Sequence, residues 1–464
     1  MDGTLAMSST TLAAPHPVLA VERLSLVGLF TRFVGPAALT AAGMIGAGAV
    51  ATRLLAGAWF GFDLLWVALL VIPMVIVTLD SASRVGVLSD GVGLIEMVRT
   101  DIGAWLAWTV VVPMALVNVV VNMSQMSAMV EGAYGALGLL PPANGGATVG
   151  LVVVTLVLTG ATVTAAVLGG YKRMEKIMTG LLVVILICFV VVAIKGLLDW
   201  QTWLALGRGL VPQIPADLPV AGQPERVRSG FTQIMAIAGQ ALPPAVLLSY
   251  GYLTTNSGQT SADIKRSFWR TVTNLGIVWG IFSIVVIVAG ATALHAVYTG
   301  TGPTHLGVNH YSQIESIPVA GQVLGPAFPG ALGFLAPRFF SLGLIAAAFT
   351  TLISVSLTMS YFCIDIARRD WRFTDDNRLF KIVFAAWITI PALVAPFWQL
   401  PALLKAILAM VGNLAMAPLA VLIILYFVNR PRLGAFRAGA GRNLVLCLTF
   451  LFALGLVVNG LVNR

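Results

Sequence analysis

The sequence predicts an all-α polytopic membrane protein with eleven transmembrane helices, and three observations predict it. Hydrophobic residues make up 58% of the 464 and charged residues only 10%, with a mean hydropathy of +0.95, far too apolar for a soluble chain of this size. The apolar residues fall into runs of about 20, the length at which a helix crosses a bilayer core with its backbone groups paired internally. Lys and Arg lie between those runs and gather in alternate loops.

The runs are placed at roughly 33–60, 62–84, 102–131, 147–170, 174–197, 229–255, 268–296, 334–366, 379–397, 400–428 and 442–462. With the N-terminus in the cytoplasm, the inner loops hold Arg84, Arg99, Lys172, Arg173, Lys176, Lys265, Arg266 and Arg270, then Arg368, Arg369, Arg372, Arg378, Lys381, Arg430, Arg432, Arg437 and Arg442. The outer loops "LPPANGGA" and "FWQLP" hold none. An even number of spans would break this alternation, so eleven spans put the C-terminus outside, in a cell (inner) membrane. The units expected are a cytoplasmic tail (1–27), a block of five spans (28–197), an extracellular loop (198–228), a second block of five (229–428) and a loop with the last span (429–464).

The first span contains "AAGMIGAGAVATR", poorest in helix formers at its own centre, with Gly43, Gly46 and Gly48. Glycine permits unwinding there. The sixth span contains "AIAGQALPPAVLLSY", where the adjacent Pro243 and Pro244 remove backbone donors and clash with the preceding turn. Breaks that open two successive blocks of five point to a transporter of inverted repeats, with its site between them. A break strands carbonyls on one half-helix and amides on the other, and these must face water, a cavity or substrate. Gly46, Ala47, Gly48 and Ala49 in the first span, and Gln240, Ala241, Leu242, Pro243 and Pro244 in the sixth, are therefore candidate substrate-binding positions.

Polar residues within spans extend that set. Asn118, Asn122 and Gln125 share one face of the third span, either lining the cavity or joining helices by hydrogen bonds. Ser249, Thr350, Thr351 and Asn413 are further candidates. Arg53, one turn into the second half of the first span, admits two readings: recognition of an anion, or a structural arginine that snorkels outward or pairs with Glu131. Asp80 with Arg84, and Asp365 with Arg369, are read as i,i+4 ion pairs. Cys188, Cys363 and Cys447 are read as small buried apolar residues. Without a nucleophile–base set, a Walker loop or a zinc motif, neither an enzyme nor an ATP-driven pump is expected, and no cofactor is called for. The net charge of +9 reflects topology, not nucleic-acid binding. Partners expected are membrane lipid and a small ion or solute, around a monomer.

The stretch "GPAALTAAGMIGAGAVATRLLAGAWFGFDLLW" (35–66), with "GYKRMEKIMTGLLVVILICF" (170–189) and the order and lengths of the spans, resembles the NRAMP family of proton-coupled divalent-metal transporters. That resemblance implies a LeuT-type fold: a 5+5 inverted repeat plus one extra helix, with helices 1 and 6 interrupted at the midplane. It also implies a secondary transporter moving a divalent metal ion by alternating access. The family's metal-binding Asp-Pro-Gly-Asn falls on Gly46, Ala47, Gly48 and Ala49, and its Met-Pro-His on Leu242, Pro243 and Pro244. A second family His falls on Ser249, the acid after the first motif on Arg53, and the acids of the proton route on Asn118, Gln125 and Ala128. Every alignable side-chain metal ligand is thus replaced. Backbone carbonyls and Gln240 suit a hydrated hard cation such as magnesium. The alternative is the same scaffold repurposed for a non-metal small solute, an anion being one such case.

Overall fold

A computed structural model describes residues 36–139, 148–168, 189–191, 193, 194, 196–220, 223–295, 317–323, 332–398 and 400–462. The N-terminal tail, most of the fifth span with Cys188, and the histidines His305 and His310 lie outside the described residues.

Among the described residues, ten of the eleven apolar runs form helices, some in two pieces. The first run forms α1 (Pro36–Met44) and α2 (Ala47–Phe60), bent by 50° at Ile45 and Gly46. Next come α3 (Leu65–Val87), the short α4 (Leu94–Asp101), α5 (Ala104–Ala136) and α6 (Val149–Leu168). The connection 198–228 is structured rather than plain loop: α7 (Trp200–Arg208) precedes an antiparallel hairpin of β1 (Leu218–Val220) and β2 (Gln223–Arg228). This hairpin is the exception to the all-α expectation. The sixth run forms α8 (Gly230–Ala241) and α9 (Pro244–Asn256), parted at Leu242 and Pro243, where neither proline can donate to the helix ladder.

The seventh run contains α10 (Ile264–Thr271) and α11 (Trp279–Ala289), with π-helical turns at Val272–Val278 and Gly290–Leu294. Then follow α12 (Ile317–Val323), α13 (Leu332–Ile366), α14 (Arg378–Val394), α15 (Ala402–Val428) and α16 (Ala440–Val462). Among the described residues, nine helices are long and apolar enough to cross a membrane, or ten with α1 and α2 taken together.

Helices α1, α2, α8 and α9 are buried nearly throughout, enclosed by α3, α5, α13 and α15. The outward faces are apolar as well: Leu116, Val157, Ile382 and Leu451 are each more than half exposed. Such a surface is stable only where the surrounding solvent is lipid. Cys447 lies on that outward surface and Cys363 is half-buried, so these two are not the core residues expected.

The ends of the helices hold the buried carboxylates. Asp80 does pair with Arg84, at 2.9 Å, and also receives Arg442 of α16. Asp365 does not turn to Arg369. Its carboxylate accepts from the Tyr252 hydroxyl and the Glu96 amide, capping the start of α4, where backbone donors lack helical partners.

Candidate functional site

The bend between α1 and α2 sits against the gap between α8 and α9, and a small cavity lies where they meet. Its space for water-sized centres is about 30 Å³, enough for roughly two waters at ~10–15 Å³ each. Of the positions expected from sequence, Gly46, Gly48, Ala49, Asn118, Gln125, Gln240, Pro243, Asn413 and Thr351 line it. Met410 lines it too, and sequence reading passed over this thioether, although it stands one turn before Asn413.

The break is satisfied by side chains from distant helices. Thr350 donates to the Ala42 carbonyl at 3.0 Å, Thr351 to Gly43, and Gln240 Nε2 to Met44. The Ala47 amide donates to Gln125 Oε1 at 3.1 Å. The carbonyls and amide expected to await a ligand are therefore already engaged, though each carbonyl keeps a second lone pair. The glycines have a reason other than unwinding. Gly46 has φ −99° and ψ −174°, open to any residue. What it provides is room: an added Cβ would lie 1.7 Å from Thr351 Oγ1, and at Gly43 one would lie 2.2 Å from Ser354 Oγ.

Two acceptors stand out. Gln240 Oε1 and Asn413 Oδ1 line the cavity, are buried, and have no hydrogen-bond partner among the described residues. A buried amide oxygen without a partner is costly, so both are poised to accept from a ligand or its water shell. No group of three or more His, Cys, Asp or Glu that could hold a metal occurs among the described residues. The cavity is uncharged, with the side chains of Asn118, Gln125, Gln240, Thr351 and Asn413 set into an otherwise apolar lining.

Other candidates lie off it. Asn122 donates to Ser356 Oγ at 3.0 Å and to the Trp387 carbonyl at 2.8 Å, joining helices although it shares a face with Asn118 and Gln125. Ser249 meets Thr358 at 3.1 Å, and Ala241, Leu242 and Pro244 are buried in packing. Arg53 neither reaches the cavity, nor snorkels, nor meets Glu131. It is fully buried, donates to Ser283 Oγ at 2.8 Å, and stacks on the Trp279 ring at 4.8 Å. Glu131 instead accepts from the Ile317 and Ala402 amides, at the starts of α12 and α15.

This is a multi-pass membrane protein with a small uncharged cavity where α1–α2 meets α8–α9. Its fold is that of a manganese transporter from Eremococcus coleocola solved with an aromatic bis-isothiourea compound, at a TM-score of 0.67 and 16% identity, covering 97% of this chain and 88% of that one. MhsT in complex with L-phenylalanine matches at a TM-score of 0.60 and 15% identity, over 91% of this chain and 96% of that one. At such identities the likeness is one of fold, the LeuT type. Residues 37–463 match the family described as natural resistance-associated macrophage protein-like (Nramp), and the chain belongs to that family. Among its relatives, the divalent metal cation transporter MntH of Brucella suis is 25% identical over 426 residues, 90% of this chain and 85% of that one. MntH of Burkholderia ambifaria is 24% identical over 306 residues, 65% of this chain, and the match spans 63% of that relative's length.

Proposed function

We propose that this protein is a secondary transporter that carries a divalent metal cation across the cell membrane by alternating access. Eleven spans with the N-terminus inside and the C-terminus outside fit the basic-loop pattern, with α1–α2 and α8–α9 as the interrupted first and sixth helices of two inverted repeats. The observation that carries the reading is the cavity at those two gaps, where Gln240 Oε1 and Asn413 Oδ1 are buried acceptors without donors among the described residues. Family membership and relatives named as divalent metal cation transporters support a metal as cargo.

Neutral amides and hydroxyls attract a divalent ion less strongly than carboxylates do. The cargo therefore keeps much of its water shell, which favours magnesium, a hard ion that dehydrates reluctantly. A hydrated ion needs more space than about 30 Å³, so the lining helices part when it loads. Arg53, buried away from the cavity, does not act on this cargo.

Uptake by purified protein in proteoliposomes tests the proposal. Saturable magnesium uptake with weak manganese uptake is expected. Micromolar manganese binding by calorimetry, with matching transport, would overturn the hydrated-ion reading, and no uptake of any divalent cation would overturn transport itself.

A further inference from the structure

We infer that Arg53 Nη2 and the Trp279 indole N–H hold a small monovalent anion of chloride type, buried between α2 and α11. The starting point is a charge with no opposite charge beside it among the described residues. Arg53 is 0% exposed, and among the described residues its hydrogen-bond partners are both neutral hydroxyls: Nε donates to Ser283 and Nη1 to Thr52 at 3.2 Å. An isolated buried cation within a membrane-spanning segment is strongly unfavourable unless a counter-charge accompanies it.

Two donors remain in the same stacked pair. Arg53 Nη2 and Trp279 Nε1 are both buried without a hydrogen-bond partner among the described residues, and Trp279 is also 0% exposed. The guanidinium lies 4.8 Å from the centre of that indole ring, so the unused donors belong to neighbouring groups. Both hydroxyls beside Arg53 are themselves donors to backbone, Ser283 to Trp279 and Thr52 to Gly48. What the pair lacks is an acceptor, and a negative one.

The occupied positions define the anion. A carboxylate binds a guanidinium through two parallel N–H groups. With Nε and one N–H of Nη1 engaged, Nη2 is the nitrogen of Arg53 left without any partner among the described residues, and beside the single indole N–H it suits a small, spherical ion. The backbones are also close: an added Cβ at Gly57 would lie 2.3 Å from the Ile287 carbonyl, and one at Gly290 would lie 2.2 Å from the Leu54 carbonyl. A bulky anion is therefore excluded. The site is apart from the cavity, so the ion is a resident counter-ion and not cargo.

Equilibrium binding of radioactive chloride to the purified full-length protein, in gluconate buffer free of divalent cations, tests this independently of transport. One chloride per chain is expected, with a melting temperature that rises and saturates as chloride replaces gluconate. Arg53→Met should abolish binding, and Trp279→Phe, which keeps the ring but removes its donor, should weaken it roughly fivefold to tenfold. If Arg53→Met does not fold, Trp279→Phe alone decides. Absence of chloride binding, or binding unchanged by Trp279→Phe, would overturn the inference.

Discussion

Thr351 occupies the space that any side chain at residue 46 would need. Its Oγ1 stands 1.7 Å from where a Cβ on Gly46 would be, and the same hydroxyl donates to the Gly43 carbonyl. Position 46, where the sequence reading expects the family's metal-binding Asp, is thus closed by a residue of α13. Residues 46 and 351 form a reciprocal pair, in which one can grow only if the other shrinks.

Gly46→Asp alone should therefore be destabilising by at least the ~1–3 kcal/mol typical of overpacking. Thr351→Ala would not relieve it, because Thr351 Cβ is itself 2.5 Å from the added atom. The double variant Gly46→Asp with Thr351→Gly should recover melting temperature relative to Gly46→Asp, a coupling that contacting residues show. It should also gain manganese binding by calorimetry, since the cavity then holds a carboxylate. Additive losses in the double variant would refute the pairing.

Asn413→Ala and Gln240→Ala separate binding from stability. Asn413 Oδ1 has no hydrogen-bond partner among the described residues, so its removal relieves a buried polar group. Its melting temperature should hold or rise, while KM for the divalent cation rises about tenfold, an interaction of ~1.4 kcal/mol. Gln240→Ala also frees the Met44 carbonyl and should lose ~1 kcal/mol of stability in addition. Unchanged KM in both variants would remove these two oxygens from the cation's path.

Much of this arrangement was legible because it depends on local physics. Pro243 and Pro244 part α8 from α9 for reasons contained in the dipeptide, and the apolar runs place the helices. What escaped was long-range. Thr350 and Thr351 reach carbonyls 308 positions away in the chain, and no local pattern says that a glycine is small because a threonine is coming. Asn118, Asn122 and Gln125 share a stripe, yet the stripe is wide enough that Asn122 meets α13 and α14 while its neighbours face the cavity. The charge of Arg53 was plain, but its partner Ser283 lies 230 positions on.

Asp365 should control the docking of α4. Its carboxylate receives the Glu96 amide and the Tyr252 hydroxyl, and that hydroxyl in turn accepts from the Ile95 amide at 2.8 Å. Asp365→Ala removes a charged acceptor worth ~1.5–3 kcal/mol. Hydrogen exchange at Ile95 and Glu96 should accelerate by roughly ten- to a hundredfold, while α15 exchanges as before. Equal protection in variant and parent would show that packing alone holds α4.

The last prediction concerns Asp80, the single carboxylate between Arg84 and Arg442. Asp80 is 1% exposed and each arginine side chain 17% exposed, so water and salt screen the group poorly. Arg442 belongs to α16, which makes the carboxylate a link between α3 and the last span. Asp80→Asn leaves two cations adjacent and uncompensated, and loss of one partner from a buried pair costs ~3–5 kcal/mol. Arg442→Leu leaves Asp80 still paired with Arg84 and replaces a charge by apolar bulk beside lipid, so it should cost far less. Melting temperatures in detergent should therefore fall in the order parent, Arg442→Leu, Asp80→Asn, and raising salt should not close the gap. The double variant Asp80→Asn with Arg442→Leu should be more stable than Asp80→Asn alone, because the uncompensated repulsion is gone. Equal losses in the two single variants would mean that the α3–α16 contact is held by apolar packing instead.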